Sequence, residues 1–145
     1  MPPFLLSIES FSTFLDDFAA GTLPRAEWSH AAHLAVATTL IHGGGTVATV
    51  RDRILRYNDS QGIVSTPDYG YHETVTCFWV ERIGELIGGL GRHATAYDAA
   101  RAVVAAFAHR GRLFDFYYSY NLLESREARA ASIFSSKDEP KGMRW

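Results

Sequence analysis

The feature that most constrains this chain is a run of 23 residues, Trp28 to Val50, without a single Asp, Glu, Lys or Arg. A run of that kind is buried, either in a bilayer or at the centre of a domain. A spanning helix needs about 20 mostly apolar residues without interruption. Here the run carries His30, His33, His42, four threonines and the breaker Gly43-Gly44-Gly45. It reads instead as two soluble helices joined at the glycines. Ser29 is a suitable N-cap for the first, which extends to His42. His30, His33, Leu34, Ala37, Leu40 and Ile41 form one stripe of it. Ala31, Ala32, Ala35, Thr38 and Thr39 form the other side. Neither side is charged, so this helix is expected at the centre of the domain.

Helical spacing continues along the chain. Phe11, Phe14, Leu15 and Phe18 share one face of a helix over 10–20, which Gly21 ends. A third helix is expected over 46–58, with Val47, Val50, Ile54 and Tyr57 inward. A fourth is expected over 71–88 with a stripe through His72, Thr76, Trp79, Ile83, Leu86 and Ile87. A fifth spans 95–109 behind the cap Thr95, and Ser125 caps a last short helix through about Phe134. The polar loop 59–70 is long for a bundle, and such loops often serve function. No segment of useful length alternates with period two. The fold class expected is all-α, a single-domain bundle of five to six helices over 1–134, followed by a polar C-terminal tail, 135–145. A chain of 145 residues, 47% apolar and 21% charged, suits one such domain.

A net charge of −2 argues against nucleic acid or an anionic membrane as partner. The start, MPPFLLSIESF, lacks the basic region of a secretory signal, so a cytoplasmic location is expected. A single cysteine, Cys77, excludes an internal disulfide and a four-cysteine zinc site. The partner expected is a small-molecule substrate, and a homodimer is left open.

His30 and His33 are three apart and share a helix face. His72 falls on the stripe of another helix, with Glu73 beside it. Facing helices of a bundle can bring such side chains together. Zinc needs three protein ligands and an open position for catalysis, and non-haem iron uses two histidines and a carboxylate. Either set can be drawn from His30, His33, His72 and Glu73. The bland alternative is that these histidines are structural, bonded to carbonyls or tyrosine hydroxyls, with Glu73 complementing a helix dipole. Tyr71 and Tyr118 are candidate donors that orient a substrate or supply a proton. Trp28 reads as a core staple or a pocket wall. Asn58 reads as a residue that caps or leaves its helix. Arg126 and Arg129 read as surface cations able to meet an anion.

Two segments, Trp28-Ser29-His30-Ala31-Ala32-His33-Leu34 and Gly70-Tyr71-His72-Glu73-Thr74-Val75-Thr76, resemble a bacterial family of small helical proteins. Its members share W-x-H-x-x-H-L and Y-H-E-T-x-T segments. A later Y-Y-S and a Ser-x-x-Ala-Arg stretch correspond here to Tyr117-Tyr118-Ser119 and Ser125-Arg126-Glu127-Ala128-Arg129. The resemblance covers roughly residues 4–134 and brings no established activity. It implies only that His30, His33, His72 and Glu73 belong together.

The leading expectation is therefore a small enzyme with a divalent transition metal, Fe or Zn, held by His30, His33, His72 and Glu73. Glu73, Tyr71 and Tyr118 would be its catalytic or substrate-orienting groups. Hydrolysis, lyase or isomerase chemistry, and oxygen activation all remain open. The alternatives are a metal-free His/Glu/Tyr acid–base enzyme, and a non-catalytic helical module that binds a small ligand and whose histidines are structural.

Overall fold

Six α-helices and no strand make up the described residues, 1–133, of the computed structural model. The tail expected over 135–145 lies outside them. Helix α1 (Ile8–Ala20) starts at Ser7, whose hydroxyl accepts from the Ser10 amide at 3.0 Å. It stops at Gly21, which has φ +76°. A side chain there would be strained in the left-handed region, and its Cβ would come within 2.7 Å of the Ser60 side chain. That close approach seats the end of α1 on the segment around Ser60.

Helix α2 (His30–His42) begins at the Ser29 cap and is central as expected. Ala32, Leu34, Ala35, Val36, Ala37 and Thr38 are all buried. The Thr38 hydroxyl avoids an unmet donor by bonding back to the Leu34 carbonyl at 2.7 Å. Helix α5 (Ala96–Phe107) packs along α2 with the small buried residues Ala99, Ala100, Val103 and Val104. Alanines on both helices let the backbones approach closely. Helices α3 (Val47–Ser60) and α4 (Glu73–Gly88) cover the other flank of α2. Short 3₁₀ turns at 113–116 and 122–124 lead into α6 (Arg126–Ala130), which docks on α4.

Most helix ends fall within two residues of expectation, and two of the differences bear on the site. Helix α4 begins at Glu73, not Tyr71, because His72 is its N-cap in an extended conformation (φ −131°, ψ 108°). The imidazole Nδ1 accepts the Val75 amide at 3.2 Å, a role usually taken by Ser, Thr, Asp or Asn. His72 therefore lies before the helical stripe to which spacing assigned it. Helix α6 ends at Ala130 rather than near Phe134, since Ala131 is extended (φ −148°, ψ 151°). The Thr74 hydroxyl donates to the Ala131 carbonyl at 2.8 Å and accepts the Ile133 amide at 3.1 Å, which holds this extended segment against α4. Among the described residues, no helix is long and apolar enough to cross a membrane.

Candidate functional site

Two adjoining cavities open between α2, α3, α4 and the segment 111–123. The first, about 330 Å³, is mostly apolar, with Leu34, Val50, Trp79 and Phe114 among its walls and His30 at its edge. The second, about 560 Å³, is more polar and includes Trp28, Asn58, Tyr71, His72 and Arg129. His33, Ile54, Val75, Thr76 and Leu123 line both, so they form the partition between the two spaces.

The first turn of α2 places two imidazoles here. His30 donates from Nε2 to the Phe107 carbonyl at 3.2 Å, and its ring lies 5.0 Å from that of Trp79. Burial lowers its pKa, partly opposed by that bond. One turn later, His33 stacks on Trp28 with ring centroids 3.8 Å apart. Its Nδ1 sits 2.8 Å from the Ser29 carbonyl. A carbonyl only accepts, so Nδ1 carries the proton and Nε2 keeps a lone pair in the neutral ring. No described residue bonds to that Nε2. Burial lowers the His33 pKa to about 4, with the Ser29 bond opposing and neighbouring His30 reinforcing the shift.

His72 is used up by the fold. Its Nε2 donates to the Leu122 carbonyl at 2.8 Å while Nδ1 caps α4. Burial lowers its pKa, against the pull of the Leu122 carbonyl and together with the Arg129 charge. Neither ring nitrogen has a lone pair left for a metal.

Glu73 faces a different set of neighbours. Arg51 reaches its two oxygens at 3.1 and 2.9 Å, the Tyr71 hydroxyl donates at 2.7 Å, and the Cys77 thiol lies at 3.5 Å. Burial alone would raise its pKa, but the donors from Tyr71, Arg51 and Cys77 together hold it below the ordinary carboxylate value. Glu73 lines neither cavity. Burial, first of all, raises the Tyr71 phenol well above its ordinary value, and the bond to Glu73 adds to the effect.

Tyr118 is also removed from the cavities. Its ring is buried, its hydroxyl donates to the Ile133 carbonyl at 2.8 Å, and burial pushes its pKa up to about 12. It faces the extended segment after α6 rather than a substrate. Arg126 is engaged with Asp68 through two bonds of 2.8 and 2.7 Å, and Arg129 with the carbonyls of Gly70, Tyr71 and Leu123.

The structure thus brings His30 to His33 at one cavity, and His33, Tyr71 and His72 to the other, and leaves Glu73 and Tyr118 aside. Among the described residues, no group of three or more His, Cys, Asp or Glu is placed to hold a metal ion. The four residues expected to hold iron or zinc, His30, His33, His72 and Glu73, do not form such a group: both ring nitrogens of His72 are engaged by the fold, and Glu73 faces Arg51 and Tyr71.

Asn58, expected to cap or leave its helix, lies in the last turn of α3 and also lines a cavity, which that expectation did not include. It is buried (6% exposed) and lines the second cavity, one turn after Ile54. The signal was present: position 58 lies four after 54 and shares its inward face. No family model, no curated protein and no solved structure matches the chain.

Proposed function

We propose that this protein binds a small molecule with an apolar body and a polar, hydrogen-bond-donating end. The body occupies the first cavity, against Val50, Ile54, Val75 and Trp79. The polar end meets the partition at His33. The observation that carries this reading is the free His33 Nε2, an acceptor at the junction of the two spaces with no partner among the described residues. A mostly apolar pocket with a few convergent polar groups is the usual form of a small-ligand site.

The electrostatics favour binding over proton transfer. With a pKa near 4, His33 is unprotonated at neutral pH yet a weak base. The Tyr71 phenol, raised first by burial and held by Glu73, is a weak acid. His33 in this reading accepts a hydrogen bond and does not abstract a proton.

2-Naphthol is a suitable probe, because it joins an apolar bicycle to one O–H donor. Titration into the full chain, followed by quenching of Trp28 and Trp79, should saturate at one equivalent. Ile54→Trp, which fills the partition, should abolish saturation, and His33→Leu should weaken it by about ten-fold, the loss of one buried hydrogen bond. Absence of saturable binding to the unaltered chain, at concentrations up to the solubility of the probe, would overturn the proposal.

A further inference from the structure

Three charged side chains line the two cavities: Arg112 on the first, Asp68 and Arg129 on the second. The fold neutralises two of them. Arg112 holds both oxygens of Asp115, at 2.7 and 3.2 Å, and Asp68 holds Arg126 at 2.8 and 2.7 Å. Arg129 meets only dipoles. Its Nη1 donates to the Gly70 and Tyr71 carbonyls at 2.8 and 3.5 Å, and its Nη2 to the Leu123 carbonyl at 2.8 Å. No carboxylate pairs with it among the described residues.

A guanidinium carries five N–H donors. The three carbonyls account for three of those of Arg129, and its Nε is buried with no partner among the described residues. A clamp on three carbonyls explains the Nη bonds. It leaves a full charge without a counter-ion and a buried donor unmet, both of which cost free energy unless an anion completes them. The charge already acts on the wall of the second cavity. It adds to the Arg126 pair in lowering the Asp68 pKa, and to burial in lowering that of His72. The same lining holds another unused donor, the Trp28 indole N–H, which bonds to no described residue.

The order of the groups along the two spaces gives the order of groups along a ligand. Val50, Trp79 and Phe114 belong to the first cavity alone, the His33 acceptor stands in the partition, and Arg129 belongs to the second cavity alone. An apolar body, an N–H or O–H donor and an anion follow one another in the matching molecule. One uncompensated positive charge matches a monoanion, a carboxylate rather than a phosphate dianion. Resting on the small-ligand reading above, we infer that the ligand is an aromatic acid whose carboxylate enters the second cavity, with Arg129 as the specificity-determining residue.

The test uses the full chain and a matched series titrated by tryptophan fluorescence. N-(2-naphthyl)glycine carries the acid, its methyl ester is neutral, and N-(2-naphthyl)ethylenediamine ends in a cation. All three keep the bicycle and an N–H donor in place of the 2-naphthol O–H. The acid should bind about ten-fold or more tighter than the ester, the ratio expected for a hydrogen bond to a charged group, and the amine weakest. Arg129→Gln should make acid and ester equal within about two-fold, whereas Arg129→Lys, which keeps the charge, should retain part of the preference. Ile63→Glu adds a carboxylate to the lining of the second cavity without altering Arg129 or the carbonyls it holds. It should move the preference to the amine, and it decides the question if Arg129→Gln does not fold. Four results would overturn the inference while leaving the ligand-binding reading in place. They are equal affinities for acid and ester, tightest binding of the amine, an acid preference that survives Arg129→Gln, and one unchanged by Ile63→Glu. If 2-naphthol binds and none of the series does, the carboxylate assignment fails alone. If 2-naphthol fails as well, the binding reading fails with it.

Discussion

His72 ties the start of α4 to the Leu122 carbonyl through a 2.8 Å bond from Nε2. The same ring caps α4 through Nδ1. One side chain thus closes a helix end and holds the 3₁₀ turn at 122–124. His72→Ala should remove a cap worth about 1 kcal/mol and one of the two donors to the Leu122 carbonyl, which keeps the Ser125 amide at 3.2 Å, at about 0.5–1.5 kcal/mol more. Urea denaturation should show a loss of about 1.5–2.5 kcal/mol. A loss below about 0.5 kcal/mol, the range of ordinary surface substitutions, would contradict the role described here.

Glu73 joins α3 to α4 through Arg51 and fixes Tyr71. Arg51 is partly exposed, so the charge pair itself contributes little after solvent screening. Glu73→Gln should keep an acceptor for Tyr71 and cost about 1 kcal/mol or less. Glu73→Leu strands the Tyr71 hydroxyl and should cost about 1–3 kcal/mol. Equal effects of the two substitutions in equilibrium unfolding would show that the acceptor is not what matters.

The three site histidines set the acid side of the stability profile. His30, His33 and His72 all have folded pKa values below 6.5, that of His33 near 4. Between those values and 6.5 the unfolded chain binds more protons than the folded one, so stability falls as pH falls through this window and is level above it. The Glu73 contribution is lost only below 4.5, where its carboxylate begins to protonate. The Tm should therefore drop by about 5 °C or more from pH 7 to pH 5. His33→Leu should flatten part of that slope. A Tm independent of pH over this range would refute the buried neutral state of these rings.

Tyr118 is a structural donor. Tyr118→Phe should leave the Ile133 carbonyl without its 2.8 Å partner and lower stability by about 1–2 kcal/mol. The affinity for 2-naphthol should not change, because the ring lines neither cavity. A weakened ligand affinity with unchanged stability would reverse this assignment.

Local rules made much of the fold legible. The Phe11, Phe14 and Phe18 stripe marked α1, and Ser29, Gly21 and Thr95 marked helix ends that the structure reproduces. The charge-free segment identified the central helix, and Ala32 and Leu34 to Thr38 of α2 are buried. The site was only partly legible. His33 and Tyr71 were singled out and do line a cavity. Glu73 and Tyr118 were singled out for their chemistry, yet nothing local indicated that Arg51 and the Ile133 carbonyl would engage them. Asn58 was passed over because asparagine near a helix end ordinarily serves as a cap or exit residue.

The primary structure by itself determined an all-α bundle with α2 inside, because helix periodicity, caps and breakers act within a few residues of one another. Which distant partner each imidazole meets was decided by tertiary structure. His72 meets a carbonyl 50 residues away, and His30 meets one 77 residues away. His33 met none at Nε2. A ring nitrogen is a ligand, a cap or a free acceptor according to which backbone oxygen or amide arrives beside it. That is fixed by how the helices pack, and no spacing along the chain encodes it.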